Sequence, residues 1–127
     1  MTINPQTANI LVVDDYNTMR RVIRGLLGQI GFKNIDEATD GQMALNMINE
    51  RPYTLVISDW NMEPMTGYDL LKAVRGANNN VPFIMVTAES KTENIIAAKQ
   101  AGVNNYIVKP FSAETLKSKM AAVLGAF

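Results

Sequence analysis

The stretch "LVISDWNMEP", residues 55–64, decides the fold. Leu55, Val56 and Ile57 form an unbroken apolar run, Ser58 follows, and the run stops on Asp59 beside Trp60, the only tryptophan in the chain. Unbroken apolar runs, as opposed to alternating ones, suit strands that are buried on both faces, as in a parallel sheet covered by helices. A carboxylate at the mouth of such a strand is costly unless something compensates its charge. The rest of the chain indicates what does.

Three further runs have the same character: "ILVV" (Ile10–Val13), "FIMV" (Phe83–Val86) and "YIV" (Tyr106–Val108). A weaker strand is expected around Asn34–Ala38. Helical periodicity fills the gaps. Met19, Val22, Ile23, Leu26, Leu27 and Ile30 recur at three- and four-residue steps, and Gly31 reads as the cap that ends this helix. Ala44, Met47 and Ile48 mark a second helix and Leu70, Leu71 and Val74 a third. "TENIIAAKQAG" is expected to open on a Thr92 cap and close at Gly102. Leu116, Met120, Val123 and Leu124 mark the fifth. Gly25 and Gly28, late in the first helix, are read as sites of close packing, not as a nucleotide loop. The order βαβαβαβαβα calls for an α/β fold: a doubly wound five-stranded parallel sheet of flavodoxin-like order 2-1-3-4-5, with helices on both faces. The chain is expected to form a single domain over residues 1–127.

A parallel sheet puts all strand exits on one edge, and ligands bind outside that edge at the switch point between strands 1 and 3. The exits are Asp14-Asp15, Asp59, Thr87 and Lys109-Pro110. Two like charges about 4 Å apart repel by roughly 4 kcal/mol at an effective dielectric near 20. Three carboxylates therefore need a proton or a cation between them. The chain has neither histidine nor cysteine, which excludes imidazole and thiolate ligation, disulfides and histidine base catalysis. Oxygen ligands in a half-open cleft suit Mg²⁺. A phosphoryl group would fit against such a metal, with Lys109 as point charge, Thr87 as donor and Asp59 as nucleophile.

Composition sets the remaining bounds. Twelve basic residues balance twelve acidic ones, so no long-range field draws the chain to nucleic acid or an anionic membrane. No apolar run approaches the ~20 residues that span a bilayer, and the N-terminus lacks the pattern of a secretory signal. A cytoplasmic location is expected.

Each exit residue has a plainer reading too. Asp14 or Asp15 could cap the first helix, Thr87 could be an ordinary strand residue, and Asp59 a turn residue. Lys109-Pro110 could be a tight turn, with a cis bond possible there. Two other site chemistries compete. A metal-dependent phosphatase with an aspartyl nucleophile generally wants a second acid two residues on, where this chain has Asn61. A flavin binder wants a Ser/Thr/Gly-rich loop after the first strand, where Asp14 and Asp15 would repel its phosphate.

With "VVDD", "SDWNMEPMTG", "VTAESKTENIIAAKQAG" and "YIVKPF" together, the sequence resembles the receiver domain of response regulators from about Asn9 to Leu124, most of all the single-domain receivers of chemotaxis. The resemblance implies that Asp59 is the phosphoacceptor. It makes Asp15 a direct Mg²⁺ ligand, has Asp14 act largely through water, and completes the metal site with the backbone carbonyl of Asn61. It gives Thr87 and Lys109 the sensing of the phosphoryl group and Tyr106 the part of an aromatic switch. The phosphoryl donor would be a sensor histidine kinase, with slow autodephosphorylation afterwards and no output domain on the chain.

The resemblance further implies an output surface carrying Lys91, Ile95, Lys99, Val103, Tyr106, Lys117 and Lys119. In such regulators this face binds a segment of the flagellar motor switch protein; a solvated basic face is the plainer alternative. A mostly monomeric protein is expected. The same chemistry could instead serve a phosphate sink, a relay or a stress pathway. One departure stands out: the family usually has proline where this chain has Glu63, and here Pro64 follows it, so an extra carboxylate lies beside the metal loop and the fixed φ moves by one residue. Asn61 and Glu89 flank the site at positions that could orient or block an attacking water.

Overall fold

The computed structural model describes residues 3–88, 91–125 and 127. Glu89 lies outside the described residues. Ten elements alternate: β1 (Asn9–Val13), α1 (Asn17–Ile30), β2 (Asn34–Ala38), α2 (Gly41–Glu50), β3 (Leu55–Asp59), α3 (Gly67–Gly76), β4 (Phe83–Thr87), α4 (Thr92–Ala101), β5 (Asn105–Val108) and α5 (Ala113–Leu124). All four pairings are parallel and the sheet order is β2-β1-β3-β4-β5, as expected from the sequence.

The unbroken runs are explained by two cores, one on each face of the sheet. Successive strand residues point to opposite faces. Ile10, Val12, Leu55, Ile57, Ile84 and Val86 pack with Ile23 and Leu27 of α1 and with Leu116 and Met120 of α5. Leu11, Val13, Val56, Phe83 and Met85 pack with Ala44 and Ile48 of α2 and with Leu70, Leu71 and Val74 of α3. Each large side chain so buried contributes roughly 1.5–3 kcal/mol. β3 and β4 are buried along their whole length.

Some expectations need correction. β5 is an edge strand in which only Ile107 is buried, and Val108 is 37% exposed; an apolar run alone does not distinguish an edge from the centre. Val22 is 48% exposed, because the buried stripe of α1 runs through Ile23 and Leu27. Thr92 is the first residue of α4, not its cap: Lys91 holds the cap position, and its carbonyl accepts from the N–H groups of Asn94 and Ile95. Gly25 and Gly28 are not sites of close packing among the described residues: beyond its chain neighbours and the helix's own backbone, a Cβ at either would meet no atom within 4 Å. The helix ends read from Gly31 and Gly102 hold, with both residues in the left-handed region at φ 117° and 101°. Among the described residues, no helix is long and apolar enough to cross a membrane.

Candidate functional site

The strand exits meet as the topology requires. β1 ends at Val13, and the Asp14 N–H continues the ladder by donating to the Ala38 carbonyl at 3.2 Å. β3 carries Asp59 as its last residue, opposite Val86 of β4, and the Trp60 N–H donates to the Val86 carbonyl at 2.9 Å. β4 ends at Thr87, whose carbonyl accepts the Lys109 N–H at 2.8 Å. The Lys109-Pro110 bond is cis, as is Glu63-Pro64.

One carboxylate oxygen from each of Asp14, Asp15 and Asp59 falls within 4.8 Å of the others. Asp14 and Asp59 are buried and Asp15 is exposed. Lys109 Nζ reaches Asp59 Oδ1 at 3.3 Å. Thr87 is 8% exposed at the same edge. Neither aspartate caps α1: Tyr16 occupies the cap position, and Asp14 Oδ1 accepts the Tyr16 N–H at 2.9 Å.

The pocket concentrates carboxylate charge at a buried edge. Burial pushes the Asp14 carboxyl up to about 6; the hydrogen bond from the Tyr16 N–H opposes the rise and the Asp59 charge adds to it. Among the described residues, Asp14 Oδ2 is buried with no hydrogen-bond partner. A buried orphan oxygen beside two more carboxylates is a donor set that fits a hard cation.

Asn61 is exposed and lines a cleft next to the pocket with Asp15, Met62, Glu63 and Thr66. A larger depression, between the amino ends of β1 and β2 and the chain entering β3, is lined by residues such as Lys33, Asp36 and Arg51 and includes none of the exits. The close approach of α3 to the pocket depends on Gly67: its N–H donates to the Trp60 carbonyl at 2.9 Å, and a Cβ there would collide with the Asp59 carbonyl oxygen. Thr66 caps this helix through a reciprocal box with Asp69. The Trp60 ring stacks on Tyr68, with centroids 5.5 Å apart and planes 5° from parallel.

The residues read as an output face are less uniform. Tyr106 is half-buried against the α2–α3 core, with Lys119 Nζ 5.2 Å above its ring. Lys91, Lys99 and Lys117 are exposed, and Ile95, Val103 and Lys119 are half-buried. The large exposed apolar side chain of α4 is Ile96, at 49%, which the sequence reading passed over. It also passed over Arg20 and Glu37, which pair at 3.1 Å behind the acidic pocket. A half-buried acid in a strand such as Glu37 requires a cationic partner, and that was the available signal.

Comparison with known proteins agrees with this geometry. Residues 10–121 match the response regulator receiver domain. The chain is 51% identical over 116 residues to the chemotaxis protein CheY of Pseudomonas aeruginosa, covering 90% of this chain and 94% of that one. It is 52% identical over 113 residues to chemotaxis protein CheY-3 of Vibrio cholerae, covering 87% of each. Among solved structures, the chemotaxis protein CheY4 of Vibrio cholerae superposes with a TM-score of 0.86 at 34% identity, over 94% of this chain and all of that one. With its acidic pocket on the carboxyl edge of a 2-1-3-4-5 sheet, the chain belongs to the response regulator receiver domain family.

Proposed function

We propose that this chain is a single receiver domain that takes a phosphoryl group onto Asp59 from a sensor histidine kinase, and that the phosphorylated form binds the flagellar motor switch in a chemotaxis pathway in the cytoplasm. The observation that carries the reading is the convergence of Asp14, Asp15 and Asp59 on Lys109 at one sheet edge. The half-identity to chemotaxis proteins supports the pathway.

In this reading Asp59 attacks phosphorus. A P–O bond forms, the P–N bond to the donor imidazole breaks, and the imidazole leaves with the electron pair. Asp14, Asp15, Asp59 and the Asn61 carbonyl would hold Mg²⁺, which when bound supplies positive charge against the carboxylates and the phosphoryl oxygens. Lys109 already lies on Asp59 and follows the oxygen once it carries phosphate. Thr87 donates a hydrogen bond to the phosphoryl group. Its movement lets the Tyr106 ring turn inward from its half-buried position, a two-state element biased by phosphorylation. Water later cleaves the acyl phosphate and releases inorganic phosphate.

Trp60, next to Asp59, supplies the test. Its fluorescence is followed while Mg²⁺ and then acetyl phosphate are added to the native chain and to Asp59→Asn. The expected result is quenching by Mg²⁺, then a donor-dependent change that Asp59→Asn loses. No response to either addition would end the receiver reading. Binding of a motor-switch segment with and without phosphorylation tests the output; phosphorylation-independent or absent binding would return the chain to a phosphate-sink, relay or stress role.

A further inference from the structure

The carboxyl groups face the pocket, and a guanidinium that the reading above does not use holds their backbone from behind. Arg20, in the first turn of α1, has a side chain only 11% exposed. All three of its nitrogens are engaged. Nη1 donates to the Asp14 carbonyl at 2.7 Å, Nε to Glu37 Oε1 at 3.1 Å and Nη2 to Asn17 Oδ1 at 3.0 Å. Glu37 is on β2 opposite Val12, and its second oxygen accepts from Arg24 at 2.9 Å. The Asp14 N–H donates directly to the Ala38 carbonyl of the same strand. Asp14 is thus tied to β2 at both of its peptide groups, once directly and once through Arg20.

The carbonyl that Arg20 holds belongs to the peptide joining Asp14 to Asp15. That peptide is planar, so fixing its oxygen fixes the plane from which Asp15 departs. We propose that Arg20, braced by Glu37 and Asn17, is a positioning residue that sets the Asp14–Asp15 peptide for cation binding in the acidic pocket. The inference rests on the metal-dependent receiver reading.

Charge and positioning predict opposite signs. Arg20 is a cation bonded to the backbone of a pocket aspartate, so its removal makes that side of the pocket more negative and, by charge alone, does not weaken Mg²⁺. Loss of a positioning contact frees the peptide, spreads the orientations of Asp15 and weakens Mg²⁺. Lysine keeps the charge but not the planar fork that reaches three partners at once.

The experiment is a Mg²⁺ titration read by Trp60 fluorescence on the full chain, for the native protein, Arg20→Ala, Arg20→Lys, Glu37→Gln and the double variant Arg20→Ala/Glu37→Gln. Thermal melting in EDTA shows which variants are folded. The midpoint is expected to rise roughly tenfold in Arg20→Ala, to rise also in Arg20→Lys, and to rise less in Glu37→Gln. Glu37 acts through Arg20, so the double variant should be no weaker than Arg20→Ala alone. An unchanged or lowered midpoint in folded Arg20→Ala overturns the proposal, and so does full rescue by lysine. If Arg20→Ala does not fold, unchanged midpoints in both Arg20→Lys and Glu37→Gln overturn it. A native chain that ignores Mg²⁺ removes the receiver reading and this inference together. A responsive native chain with unaltered variants removes the inference alone.

Discussion

Lys109 Nζ lies 3.3 Å from Asp59 Oδ1, pairing two residues 50 positions apart in sequence. The lysine side chain is 21% exposed and that of the aspartate 7%, so the pair is largely out of water. Lys109 is the built-in counter-charge of the pocket. In Lys109→Gln, metal-free protein should lose about 1–3 kcal/mol, because Asp59 stays buried beside two other carboxylates without its cation. Mg²⁺ should bind more tightly, since nothing competes for Asp59, and the stability loss should shrink when it is added. Urea denaturation with EDTA and with Mg²⁺ measures both; an equal loss in the two conditions would refute the counter-charge role.

That the two residues meet at one edge was legible in the sequence, though not their ion pair, because both end apolar runs and a parallel sheet leaves only one edge for run ends. Asp14, Asp59, Thr87 and Lys109 could be placed together from run ends and strand order alone. Arg20 and Glu37 could not, because neither ends a run and their contact depends on the side-by-side register of β1 and β2. The glycines were misread for a related reason. A glycine in a helical pattern permits close packing, but the sequence does not say whether anything is there to pack.

The glycines now separate by sign. Gly67→Ala should be destabilising by about 1–3 kcal/mol, since the new methyl meets the Asp59 carbonyl oxygen and Met85 Sδ and α3 must move off the strand exit. Gly25→Ala and Gly28→Ala, in helical backbone with open space around them, should each be stabilising by about 0.5–1 kcal/mol. Melting temperatures check both directions. A Gly67→Ala protein as stable as the native chain would mean that α3 does not need its close approach to Asp59.

Tyr68 shields the Trp60 ring on one face and is itself covered by Lys72 Nζ, 4.5 Å from its ring centre. Replacing Tyr68 with Ser should shift Trp60 emission to longer wavelength as water reaches the indole. It should cost about 0.5–1.5 kcal/mol in stability for the lost ring pair. The Mg²⁺ midpoint should stay as in the native chain, because the acidic cluster is built from Asp14, Asp15 and Asp59 and Tyr68 contributes no ligand to it. Emission spectra and a Mg²⁺ titration of the variant decide this; an unshifted spectrum would show that the stack does not screen the indole.

Asp14 should make the metal-free protein less stable as pH rises. Its carboxyl is raised from 3.8 to about 6 in the folded chain, so between those values the native state holds a proton that the unfolded state has released. Stability then falls with rising pH across that window, and the penalty is complete above it. A shift of this size corresponds to at most about 3 kcal/mol. Asp14→Asn removes the titrating group, so in EDTA it should be more stable than the native chain at about pH 7, with the advantage fading toward about pH 4. Saturating Mg²⁺ should reverse the order at neutral pH, because the native chain gains binding energy that the variant loses in part. Urea denaturation at several pH values, with EDTA and with Mg²⁺, measures the difference between the two chains, in which the slopes of carboxylates remote from the pocket cancel. An advantage for Asp14→Asn that grows as pH falls would contradict the buried carboxylate, raised by desolvation, on which the whole site is built.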